Sequence, residues 1–214
     1  MTTRLPTLLL LLACAAMVAL MVLLTVGAVP EKADAAGRFG TVTKTFFNPT
    51  NIKIPSTTTG PGPAFPYPSE INVRGFRRGH ILDVNLTLWN FTHTNPDDVD
   101  VLLVHRDKNR TVMSDVGGED DVNSIKLTLD DEADDELFNE IQLPDGSFKP
   151  TNVDNFDGFF SPAPSPPNAK ALLEGFDGSN PNGTWSLYVF NDNALGTGSF
   201  GGGWSLKVKA KARR

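Results

Sequence analysis

Leu82, Val84, Leu86 and Leu88 alternate with Asp83, Asn85, Thr87 and Trp89, the period of two expected of a strand with one buried and one wet face. The alternation returns in Ile125/Leu127/Leu129 against Lys126/Thr128, in Trp185/Leu187/Val189 against Thr184/Ser186/Tyr188, and in Trp204/Leu206/Val208 against Ser205/Lys207/Lys209. Each predicts a strand that keeps one face in water. Val99 to Val104 is more continuously apolar, which places it as a central strand. Thr41 to Phe47, Ile52 to Ile54 and Ser69 to Val73 are weaker strand signals near the start. Clusters of Gly, Pro, Asn and Asp punctuate these runs, as at Gly60-Pro61-Gly62-Pro63 and Asn180-Pro181-Asn182-Gly183, and mark turns. Only Asn168 to Glu174 invites a short helical turn.

Many short strands with irregular connections predict an all-β fold, two antiparallel sheets packed face to face in a sandwich or jelly roll. Lys207, Lys209 and Lys211 are read as outward charges that keep an exposed strand from pairing with another molecule. The basic tail they belong to would alternatively touch anionic lipid or polymer.

The pattern at the N-terminus is of another kind. Residues 7 to 29 carry no charge, and a helix of that length matches a bilayer core of about 30 Å. Arg4 before it and Glu31-Lys32 after it fit both an export signal and an anchor with its N-terminus inside. Ala33-Asp34-Ala35 supplies the small-x-small pattern of signal peptidase, which favours cleavage after Ala35. The apolar run is longer than a usual signal core, so an uncleaved transmembrane helix is the alternative. Leu11-Leu12-Ala13-Cys14 resembles a lipobox, but cleavage there would leave a long apolar start. In every case residues 36 to 214 leave the cytoplasm, secreted or held outside by the anchor.

The chain has 214 residues and 23.1 kDa, enough for one medium domain beyond the leader. Its net charge of −6 and pI near 5.0 argue against nucleic acid as a partner, whose binders are basic. The one cysteine, Cys14, excludes an intramolecular disulfide and a cysteine zinc site.

Motifs for catalysis are sparse. No G-x-S-x-G turn is present, and His80, His93 and His105 do not form a close-spaced metal motif; they read as surface or strand-end residues. Gly196-Thr197-Gly198-Ser199-Phe200-Gly201 matches G-x-G-x-x-G. No helix or ribose-binding acid follows it, so it reads as a turn between the last two strands. Four N-x-T patterns begin at Asn85, Asn90, Asn109 and Asn182 and matter only in a host that glycosylates exported chains.

Calcium is the remaining chemical candidate, because exported acidic loops offer oxygen ligands. Asp98 and Asp100 open the central strand beside Asp97, Asp115 lies in the next turn, and Asp192 ends the strand that begins at Thr184. Loops at one end of a sandwich would gather Asp98, Asp100, Asp115 and Asp192 around an ion, and an extended segment would point Asp98 and Asp100 the same way. Otherwise they are solvated partners of Lys or Arg. The runs Asp130-Asp131-Glu132 and Asp134-Asp135-Glu136 read as solvated acidic loops.

Pro68-Ser69-Glu70-Ile71-Asn72-Val73, Ile81 to Leu86 and His93 to Val104 strongly resemble the P domain (P/Homo B) of proprotein convertases and its bacterial relatives. Met113 to Gly118, Gly146 to Thr151, Phe176-Asp177-Gly178, Asn182-Gly183-Thr184-Trp185-Ser186-Leu187 and Gly203-Trp204-Ser205-Leu206-Lys207-Val208 follow in the family's order. The match spans roughly residues 39 to 209. It implies a jelly-roll β-sandwich of the kind that, in the convertases, sits beside a subtilisin-like catalytic domain and stabilises it. That catalytic domain has no counterpart here, so proteolysis does not carry over. His105-Arg106-Asp107-Lys108-Asn109 departs from the Pro/Gly turn of the relatives.

The expectation is therefore a signal peptide or anchor over 1–35 and a P-like sandwich over 36–214, exported and non-catalytic. It would bind or stabilise an extracellular protein or a surface polymer, with membrane contact only through residues 7–29 if uncleaved. Two alternatives are an accessory subunit of a separately encoded subtilisin-like serine protease and a secreted hydrolase using dispersed carboxylates.

Overall fold

Period-two segments become strands because alternate side chains then share one apolar face, and in this chain they come in quick succession. The first are β1 (Phe39–Asn48), β2 (Ile52–Ile54), β3 (Gly62–Pro63), β4 (Ser69–Val73) and the long β5 (Arg77–His93). After a 3₁₀ turn at Pro96–Asp98 come β6 (Val99–His105), β7 (Lys108–Ser114), β8 (Val122–Leu129), β9 (Gly146–Phe148) and β10 (Thr151–Asn152). A second 3₁₀ turn, Leu173–Phe176, precedes β11 (Gly183–Asn191), β12 (Gly198–Phe200) and β13 (Trp204–Arg213). These elements belong to a computed structural model that describes residues 38–55, 60–153, 158–193 and 196–214. The apolar leader, Cys14 and the Ala33-Asp34-Ala35 triplet lie outside the described residues, among which no helix is long and apolar enough to cross a membrane.

One sheet has seven strands in the order β1-β13-β5-β12-β2, with β8 on the other side of β5 and β9 beyond it. The second has six, in the order β10-β7-β6-β11-β3, with β4 also on β11. Pairing is antiparallel except for the short β8–β9 and β7–β10 contacts. The chain is thus all-β, and β6 is central as its apolar run requires. Inner-face residues of both sheets, among them Leu86, Leu88 and Val208 from one and Val101, Leu103 and Leu187 from the other, form one buried cluster. Gly37–Arg214 is one compact unit that contains this whole cluster. The cluster includes Trp185 and Trp204, whose ring N–H groups donate to Pro181 O at 3.0 Å and Ser69 Oγ at 2.9 Å, as buried indoles require.

Four expectations change. Leu82 is 44% exposed although Val84, Leu86 and Leu88 are buried, because a register shift pairs Ala210 with Ile81 and Lys209 with Asp83. Leu82 is the bulged residue, and an extra residue sends the alternation before it to the other face. The Gly196–Gly201 segment is more than a turn, since Gly198–Phe200 form β12 between β5 and β2. The helical turn falls at Leu173–Phe176, later than Asn168 to Glu174. Finally, β13 is paired on both sides, with β1 and β5. Lys207, Lys209 and Lys211 therefore line a sheet face and guard no edge; on their side of β5 the terminal strand is β1.

Candidate functional site

Antiparallel pairing brings the start of β6 beside the ends of β7 and β11, and this gathers the predicted carboxylates at one end of the six-stranded sheet. They fall into two groups. Ser114 Oγ lies 2.6 Å from Asp100 Oδ1 and 2.9 Å from Asp115 Oδ2, so a single hydroxyl proton faces two carboxylates. Asp100 is almost fully buried, and Asp115 adopts φ 52° in the turn that follows β7.

Asp98 belongs to the other group. It closes the 3₁₀ turn instead of extending β6, so it does not share the neighbours of Asp100. Its Oδ1 accepts from Asn95 Nδ2 at 2.8 Å and its carbonyl accepts from Asp192 N at 3.0 Å; the Asp192 residue is exposed. His93, buried at the end of β5, has Nδ1 2.6 Å from Asn95 O and 3.1 Å from Asn95 N, so its tautomer decides whether Nδ1 donates to the carbonyl or accepts from the amide. Its Nε2 is buried and has no hydrogen-bond partner among the described residues. A Cβ on Gly196 would stand 2.9 Å from Asp98 Oδ2 and 2.5 Å from His93 Cε1, so the close approach of this loop needs glycine.

The electrostatics of this end follow from burial and crowding. Desolvation raises the Asp97 carboxyl, and the charges of Asp115, Asp98, Glu140 and Glu119 push it further. Burial also raises Asp98 against the bonds from Asn95 and Asn193. Burial lowers His93, against the Asn95 carbonyl and Asp121. The end is thus rich in acceptors and negative charge. Even so, among the described residues no three His, Cys, Asp or Glu side chains are grouped as ligands for a metal ion.

The other acidic runs divide. Asp131 accepts from Leu173 N at 2.8 Å and Glu174 N at 2.6 Å, capping the second 3₁₀ turn, and Asp130 accepts from buried Asn85 Nδ2. These two are structural, not simply solvated, whereas Asp134, Asp135 and Glu136 are exposed. Of the histidines, His80 is exposed. His105 is buried in a stack 4.2 Å from Trp185, with both ring nitrogens on carbonyls, of Thr184 at 3.0 Å and Asn180 at 2.8 Å.

Alternation missed a second site on the outer face of β11. Tyr188 was expected in water, yet it is buried with Phe190, Leu102 and Phe159 under Tyr67 and Ala163. Tyr67 meets Tyr188 edge-on at 5.0 Å and Phe160 meets Phe190 at 4.9 Å. Tyr67 OH donates to Phe160 O at 2.9 Å and Tyr188 OH to Pro162 O at 3.3 Å, which fixes the two covering segments to each other. Burial and the neighbouring Tyr188 push the Tyr67 hydroxyl up to about 12. Phe160 on this base is 53% exposed, and Phe65, two residues before Tyr67 in the chain, is 76% exposed. The signal available in the sequence was the pair of Pro/aromatic segments, Phe65-Pro66-Tyr67-Pro68 and Phe159-Phe160-Ser161-Pro162. A hollow of about 360 Å³ lined by Arg110, Lys170, Leu172 and Glu174 is open and separate from both sites.

No family model matches the chain, and neither a curated protein nor a solved structure matches it.

Proposed function

We propose that this chain is an exported, non-catalytic P-like module of jelly-roll connectivity that works by binding another protein outside the cytoplasm. The observation that carries this reading is the aromatic ridge. Phe160, 53% exposed, stands on a base of interlocked rings, Phe65, 76% exposed, lies two residues before Tyr67 in one of the covering segments, and exposed aromatics on a rigid support are what binding hot spots use. The two stacked β layers and the quoted motifs support the family likeness.

Calcium would stiffen the acidic end. Asp100 and Asp115 around Ser114, with Asp97 and Asp98 crowded beside them, form a region whose mutual repulsion a divalent cation would relieve. An ion bound only by the native state raises the apparent stability. Melting temperature should therefore rise with millimolar calcium and stay flat in Asp100→Asn; an unchanged melting temperature removes the ion from the proposal.

The binding reading is tested by capture from extracellular material of the source organism with the mature chain and with Phe65→Ser/Phe160→Ser. The ridge predicts a defined protein that the parent retains, that the variant loses, and whose purified form reproduces the difference. A subtilisin-like protease as that protein selects the accessory-subunit reading. Equal retention by parent and variant refutes the ridge.

A further inference from the structure

We propose that β1 pairs edge to edge with the β1 of a second copy, joining two seven-stranded sheets across a two-fold axis at Thr43. The backbone supplies the first part of the argument. Arg214 N donates to Arg38 O at 3.1 Å, and the register runs unbroken from Phe39↔Arg213 to Asn48↔Trp204. Hydrogen-bonded pairs alternate along an antiparallel ladder, so Gly40, Val42, Lys44, Phe46 and Asn48 bond to β13. Phe39, Thr41, Thr43, Thr45 and Phe47 turn their N–H and C=O groups outward, and among the described residues β1 has no strand on that side. Among the described residues only Thr41 O of this outward set is engaged, by the exposed Arg214 Nη2 at 3.3 Å.

The side chains supply the second part. The outward-facing set reads Phe39, Thr41, Thr43, Thr45, Phe47, the same in both directions. An antiparallel copy centred on Thr43 places Phe39 against Phe47, Thr41 against Thr45 and Thr43 against itself, and all five are hydrogen-bonded positions. The two phenylalanines are 49% and 55% exposed, so each gains an apolar neighbour, and threonine pairs suit such ladders. The usual guards of an edge, an outward charge or a proline, are missing from these five positions. Lys44 is turned inward, its ammonium donating to Gly75 O at 3.0 Å and lying 5.4 Å from the Phe76 ring centre. It is satisfied within its own chain.

Area sets the strength. Ten residues at about 3.4 Å each, across a sandwich about 10 Å thick, offer on the order of 340 Å² per copy. That falls below the roughly 800 Å² per partner of a standard complex, so the pair is a weak, concentration-dependent dimer. Lys207, Lys209 and Lys211 lie beside Thr45, Thr43 and Thr41 on β13. Across the dimer their rows are three strand spacings apart, about 14 Å. Added salt screens charges at that distance, so association should tighten as salt rises.

Sedimentation velocity on the compact unit Gly37–Arg214, from low-micromolar to millimolar protein and at two salt concentrations, tests this. The parent should pass from monomer to dimer, more readily at the higher salt. Thr43→Lys puts two ammonium groups face to face at the axis, and Thr43→Pro deletes an outward donor that the monomer does not use. Both should weaken association at least tenfold with unchanged melting temperature in dilute protein, and Thr45→Lys should do the same if either alters folding. Amide exchange at Thr43 and Thr45 should be fast in the monomer and slow on dimerisation. A parent that stays monomeric, a dimer that survives these substitutions, or edge amides already protected in the dilute full-length chain would each overturn the proposal.

Discussion

Leu82 and Leu86 stand two alternations apart on one strand, and the bulge between Ile81 and Asp83 gives them opposite fates. Replacing either with alanine removes three carbons, worth about 2.4 kcal/mol if fully buried at about 0.8 kcal/mol per methylene. Leu86 is completely buried in the central cluster, so Leu86→Ala adds a cavity cost and should total about 3 to 5 kcal/mol. Leu82 is 44% exposed, so only about half the transfer value applies, and solvent fills the space: about 1 kcal/mol. The difference is at least about 2 kcal/mol. With m near 2 kcal/mol/M this separates the two urea midpoints by about 1 M. Equilibrium unfolding of Gly37–Arg214 followed by tryptophan fluorescence measures it directly. Equal losses for the two variants would mean that Leu82 faces the core and that the bulge is misplaced.

Three further predictions concern groups that the fold wholly or partly buries. His93 is lowered from 6.5 by burial, so the unfolded chain binds its proton first. Stability from this residue is complete above pH 6.5 and is lost as pH falls below it toward the depressed folded value; His93→Gln should flatten melting temperature over that window. Asp97 and Asp98 are raised from 3.8, first by burial, and run the other way: their stability is present below pH 3.8 and is lost as pH rises through the folded values. Asp97→Asn should therefore gain more melting temperature at neutral pH than below pH 3.8, and the reverse order would contradict the crowding. Ser69→Ala strips buried Trp204 Nε1 of its acceptor and should cost about 1 to 3 kcal/mol in urea unfolding; a loss below about 0.5 kcal/mol would show that the indole finds another partner.

Much of the strand inventory was legible in the chain because it depends on near neighbours. The segment Ser69–Val73 was read to the residue, and the alternations around Leu86, Leu127, Trp185 and Trp204 each became a strand. Their partners were not legible. Nothing local distinguishes β13, paired on both sides, from an edge, so its lysines were misread as guards. Tyr188 was placed in water because a period of two reports one buried face, and the cover over the other face comes from residues 67 and 159–163, far away along the chain. Of the candidate ligands, sequence order brought Asp98, Asp100, Asp115 and Asp192 to neighbouring strand ends. It could not tell that Asp98 turns toward Asn95 while Asp100 turns toward Ser114.

By itself, then, the sequence determined the β class, the apolar faces and the acidic end, because side-chain alternation and turn chemistry act within a few residues. The tertiary structure decided which strand is the open edge, where the bulge reverses a face, and which aromatic rings stand in water. Those outcomes depend on pairing between segments up to a hundred residues and more apart, such as Ser69 with Trp204, and hydrogen-bonding partners at that separation leave no mark on either segment alone.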